Sequence, residues 1–166
     1  MAHELKSFGD ADGLSLAVEM ERRGDRLWLR VILEGDVDAV AWPEAAAPGR
    51  TDDLWRRTCF EVFVRTAGDG YVEFNLSPSG QWASYRFDGY RSGMAEAGER
   101  VEVFGMDGGE ALWALEGLIE LPPGAEALAL SAVIERVDGS ISYWALRHPS
   151  DKPDFHHPDS FVLDLP

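Results

Sequence analysis

Apolar residues alternate with polar ones along most of this chain, with a period of two rather than the helical 3.6. LSLAVEME (14–21) and RLWLRVILE (26–34) are separated by the turn-like RRGD. TCFEVFVRT (58–66) and YVEFNLS (71–77) flank AGDG, a hairpin signal. QWASYRFD (81–88) follows PSG, and RVEVFG (100–105), ALWALEGLIEL (111–121), ALALSAVIERV (127–137), SISYWALR (140–147) and FVLDL (161–165) complete the series. ALWALEGLIEL is long enough for a helix, but Gly117 interrupts it and two prolines end it, so it reads as strand. About ten strands joined by Gly, Pro and Asp turns predict an all-β fold, an antiparallel β-sandwich of jelly-roll type. Two longer loops, 43–53 and 148–160, stand out as places where function concentrates.

The alternation also assigns faces. Phe60, Val62 and Val64 form the core side of their strand, leaving Cys59, Glu61 and Phe63 opposite. Val72, Phe74 and Leu76 point inward, with Tyr71, Glu73 and Asn75 outward. Ala83, Tyr85 and Phe87 form the apolar set of the next strand, with Trp82, Ser84, Arg86 and Asp88 on the other side. If the three strands are neighbours, one face carries Glu61, Glu73, Asn75, Trp82, Ser84 and Arg86. Carboxylates accept, guanidinium donates and an amide does both, while indole offers a flat apolar surface. A sugar ring presents hydroxyls at its edge and C–H groups on its face, so it matches such a set. The same pattern also fits a solvated face of cross-strand charge pairs.

Length and composition narrow the function classes. The chain has 166 residues, the size of a single domain spanning 1–166, and 45% of them are hydrophobic. Thirty acidic residues against 15 basic ones give a net charge of -15, which argues against nucleic acid and membrane surfaces as partners. Cys59 is the single cysteine, and MAHELKSFGDADG lacks the pattern of a signal peptide, so the expected location is cytoplasmic.

LWRRTCFEVFV, YVEFNLSPSGQWASYRFDGYRSG, ALWALEGLIELPP and SYWALRHP…PDFHHPDSFVLDL together resemble the DOMON-like domains related to family-nine carbohydrate-binding modules. The resemblance implies a jelly-roll sandwich that binds a ligand, most naturally a sugar, rather than an enzyme. It implies that Trp55 and Trp144 sandwich a sugar ring, with Glu61 and Arg86 as polar partners. Related DOMON domains bind haem through Met and His, for which Met94, Met106, His148, His156 and His157 are the available residues. Related carbohydrate modules carry structural calcium, for which GDADG (9–13) is the candidate, but it lacks the further spaced ligands of a complete calcium loop and reads rather as a plain turn. The loop 148–160 holds imidazoles and carboxylates that suit either a transition metal or a pocket wall, with Arg147 and His148 as contacts. Tyr90 and Arg91, at a turn, suit either a binding rim or a lock that holds the turn against the sheet. A glycoside-acting enzyme using Glu61 and Glu73, and a protein-interaction module using the aromatic patch, are the remaining alternatives. Cys59 reads as a quiet thiol beside the core.

Overall fold

The computed structural model describes residues Met1–Pro166. Thirteen strands form: β1 (Ala2–Ser7), β2 (Leu14–Arg23), β3 (Arg26–Gly35), β4 (Gly49–Arg50), β5 (Cys59–Arg65), β6 (Tyr71–Leu76), β7 (Gln81–Phe87), β8 (Ala95–Glu96), β9 (Val101–Gly108), β10 (Leu112–Glu120), β11 (Ala127–Glu135), β12 (Ile141–Ala145) and β13 (Leu163–Asp164). They make one curled, mixed sheet shaped as a half-barrel, in the order β4-β7-β6-β5-β11-β12-β1-β2-β3-β10-β9, with β13 on β11 and β8 on β7. Two features depart from the expected antiparallel sandwich. The short β4 runs parallel to β7. The two halves are also continuous through β1, whose first residues pair with β2 while Lys6 and Ser7 pair with β12.

Curling brings the halves face to face over one main core. Leu16, Leu29 and Leu115 come from one half, and Phe60, Val62, Phe74, Leu76 and Leu130 from the other. The layers meet closely at Gly117 of β10, where a Cβ would lie 2.4 Å from Leu76 Cδ2 on β6. The glycine that breaks the helical reading of ALWALEGLIEL is thus the residue that lets the layers close. Near this core Trp42 stacks on Trp113, which in turn stacks on Phe60.

A second, smaller cluster lies on the opposite face of β5, β6, β7 and β11: Phe63, Tyr71, Ala83, Tyr85, Phe87 and Ala129, backed by Leu54, Phe155 and Phe161. These strands therefore have apolar side chains on both faces, and hydrophobicity alone does not mark the inside of β7. Its register pairs Glu73 with Tyr85 and Asn75 with Ala83. The aromatic set of β7 accordingly shares the outer face with the carboxylates, and Trp82, Ser84 and Arg86 lie on the other side, the reverse of the expected phase. No helix is long and apolar enough to cross a membrane.

Replacing Gly117 with Ala forces Leu76, which is fully buried, out of its position. The expected loss is about 1–3 kcal/mol of stability in urea unfolding, with the all-β circular dichroism spectrum retained.

A candidate ligand site on the outer sheet face

The site is an open hollow of about 760 Å³ on the outer face of β5, β6 and β7. Its floor is polar. Glu61 on β5 and Glu73 on β6 both line it, yet are only 4% and 5% exposed. Asn75, opposite Glu61 in the register, is wholly buried, and neither of its amide atoms completes a hydrogen bond with a protein group. The walls are largely apolar: Tyr85 and Phe87 from β7, Val133 from β11, Ile141 and Tyr143 from β12, and Met94 from the stretch after the β7 turn.

Both long loops build the rim. The first leads into a short 3-10 helix, Leu54–Arg56, that carries Trp55 and Arg56 to the edge of the hollow. Asp52 at its approach accepts a hydrogen bond from the Tyr85 hydroxyl at 2.6 Å, which ties this loop to β7. The second loop supplies Lys152, Pro153, Phe155 and His156. It is fastened by Asp154, buried despite its charge, which accepts hydrogen bonds from Arg91 Nη2 at 2.9 Å and from the Tyr90 hydroxyl. Those donors hold the Asp154 carboxyl below its usual range against the cost of burial. Arg91 takes up this position with a left-handed φ of 50°.

A chain of hydrogen bonds runs from this clamp to the floor. The Arg91 backbone N–H donates to the Tyr71 hydroxyl at 3.2 Å. The Tyr71 hydroxyl contacts His156 Nδ1 at 2.7 Å. The other ring nitrogen of His156, Nε2, lies 3.6 Å from Glu73 Oε2. Burial, aided by the charge of Arg91, depresses the His156 pKa to about 4, so the ring is neutral at neutral pH and its contact with Glu73 is not an ion pair.

Burial likewise raises both floor carboxyls. Glu73 is pushed up to about 7, with the approach of the Asn75 amide and the charge of Arg91 countering part of the rise. Glu61 is raised well above the carboxylate range by burial and by the neighbouring Glu73, while the hydrogen bond it accepts from Ser131 Oγ at 3.1 Å works the other way. The same surroundings, burial first, push the Cys59 thiol up, which keeps it inert.

Of the residues singled out in the sequence, Trp55, Glu61, Glu73 and Arg91 meet at the hollow, with Asn75 beneath it. Tyr90 stands beside it as part of the Asp154 clamp. The others are elsewhere. Trp82 packs on the main core with the Arg50 guanidinium 4.6 Å above its ring, and Arg86 pairs with Glu99 at 3.6 Å on the opposite face from Glu61. Trp144 is 2% exposed in the main core, its indole N–H donating to Ser142 Oγ, so it cannot stack on a ligand in the hollow. Its neighbour Tyr143 faces the hollow instead, because successive strand residues point to opposite sides. Arg147 is exposed at the start of the second loop and does not line the hollow. His148 contacts the Lys6 carbonyl at 2.7 Å and packs edge-on to Phe8.

Met94 and His156 line the same hollow, as a haem would require, but both imidazole nitrogens already face protein partners, and the residues present do not fit an axial pair. No three His, Cys, Asp or Glu side chains come together in an arrangement that could hold a metal ion. GDADG closes as a turn in which Asp10 Oδ1 accepts from the Asp12 N–H.

No family model matches this chain, and no curated protein matches it. Among solved structures it is similar to a candidate carbohydrate-binding protein of Bacteroides uniformis, with 16% identity and a TM-score of 0.66, over 97% of this chain and 84% of that one. At that identity the likeness is one of fold.

The buried groups dictate how stability follows pH. Glu73, raised to about 7, contributes most at low pH, and that contribution is lost as pH rises through its folded value. His156, lowered to about 4, contributes above the ordinary imidazole range, and its contribution is lost as pH falls through its folded value. Between these limits the two nearly offset, since the folded protein holds on Glu73 the proton that the unfolded chain holds on His156. The residual slope belongs to Glu61, so stability falls as pH rises above the carboxylate range. Glu61→Gln should therefore stabilise the protein by about 1–3 kcal/mol in urea unfolding near pH 8 and by much less near pH 5. Equal effects at both would contradict the burial of an ionisable Glu61.

Proposed function

We propose that this chain is a carbohydrate-binding module, a single domain that holds a sugar in the outer-face hollow without turning it over. The observation that carries this reading is Trp55. Its indole is 45% exposed at the rim, above a floor of buried carboxylates. Leaving an indole half in water forfeits burial energy, a cost that a stacking ligand would recover. The C–H face of a pyranose suits the ring, while Glu61, Glu73 and the remaining N–H groups of Arg91 provide acceptors and donors for its hydroxyls. The volume of the hollow is in the range of small-molecule sites. The fold-level likeness to the Bacteroides uniformis protein supports the same class, as does reading the curled sheet as a relative of the jelly-roll sandwich. The lone, buried Cys59 suits the reducing cytoplasm.

A glycoside-cleaving role fits less well. Cleavage by a carboxylate pair needs one acid and one base, their pKa values pushed apart. Here burial raises both Glu61 and Glu73. A protein-docking role would call for a flatter apolar patch than this concave, polar-floored hollow.

Titration of Trp fluorescence with mono- and disaccharides tests the reading. At least one sugar should shift the emission, and Trp55→Ala should weaken that sugar roughly tenfold or more. Trp144→Phe should leave its affinity within about threefold, because that ring lies in the core. Equal losses from both variants, or none from Trp55→Ala, would remove stacking on Trp55 as the basis of binding.

A further inference from the structure

The floor of the hollow has more negative chemistry than a neutral sugar needs. Glu61 and Glu73 lie on paired strands, both nearly out of water and both opening into the hollow. No Lys or Arg nitrogen lies within 4.0 Å of either carboxylate, and the one basic neighbour is His156, at 3.6 Å from Glu73. The arginines of the hollow are already committed: Arg91 to Asp154 at 2.9 Å and Arg56 to Asp53 at 3.3 Å. Lys152 stands on the exposed part of the second loop and pairs with neither glutamate. Glu61 accepts one hydrogen bond, from Ser131. Most lone pairs of the two carboxylates thus remain free toward the ligand.

We propose that the hollow selects an amino sugar, a carbohydrate whose protonated amine sits between Glu61 and Glu73 while its ring packs against Trp55. This deepens the carbohydrate reading and rests on it. Burial holds both glutamates as acids, and sugar hydroxyls bring no charge that would draw off their protons. An ammonium brings three donors and a positive charge into a site where low dielectric strengthens the attraction. The Tyr85 and Tyr143 rings in the walls add surfaces that favour a cation over a neutral group. A sugar carboxylate brings a negative charge that opposes ionisation of the floor and gains no such pairing, so it is disfavoured.

The test is calorimetric titration of the wild-type chain with glucosamine, glucose, N-acetylglucosamine and glucuronate, slightly below neutral pH so that the amine is charged. Glucosamine is expected to bind roughly tenfold or more tighter than glucose and N-acetylglucosamine, with glucuronate weakest. Glu61→Gln and Glu73→Gln, checked for folding by their unfolding midpoints, should each weaken glucosamine severalfold more than they weaken glucose. If glucose and glucosamine bind the wild type within about threefold of each other, the amine preference is overturned and the carbohydrate reading stands. If neither these four sugars nor any of the mono- and disaccharides in the fluorescence titration binds, both fall.

Discussion

Two glutamates, set diagonally across the paired strands β5 and β6, are almost wholly removed from water, and the rest of the site is arranged around them. Charged carboxylates in such a place cost several kcal/mol unless something pairs with them. The protein supplies only partial relief: one serine hydroxyl to Glu61, an amide near Glu73, and the more distant charge of Arg91. The groups remain as acids with raised pKa values, poised to give up protons to a partner that brings charge or hydrogen bonds. A floor built for stability alone would carry apolar residues, as the neighbouring Phe63 and Ala129 do.

The fold makes that placement possible. Curling leaves β5, β6 and β11 with the main core on one side and a second apolar cluster on the other. The second loop then walls that outer face, and the Asp154–Arg91–Tyr90 clamp holds it there. The clamp and the floor are not independent. Arg91 also donates through its backbone to Tyr71, whose hydroxyl contacts His156, and His156 in turn faces Glu73. Rim, wall and floor form one connected polar network inside an apolar frame, the arrangement in which local positions are most tightly specified.

Much of this was legible in the sequence because alternation is strong where one face meets the core. Each run of alternating residues became a strand, and the inward sets of β5 and β6 fell as expected. Three strands escaped the pattern: the two-residue β4 and β8, and β1, which contributes only Leu5 to the core yet joins the two halves. Its role depends on changing partners midway, which leaves no periodic signature. The phase of β7 was misleading for a different reason. Tyr85 and Phe87 are apolar enough to look internal, but they pack on an outer face that a distant loop covers. Trp144 and Tyr143 show the same limit: which of two adjacent aromatics faces a ligand depends on which side of β12 meets the core. His156 and Phe155 could be suspected from the long loop they occupy, but their seat over β5 and β6 follows from the buried Asp154 contact, which spans 63 positions from Arg91.

Nuclear magnetic resonance gives the most direct test of where a ligand sits. Titrating glucosamine into labelled protein should move the Trp55 indole N–H together with the backbone amides of Glu61, Glu73 and Arg91, while the Trp144 indole N–H stays in place. Shifts gathered instead at the smaller depression lined by Trp82, Arg26 and Arg100, with the Trp55 signal unmoved, would contradict the account.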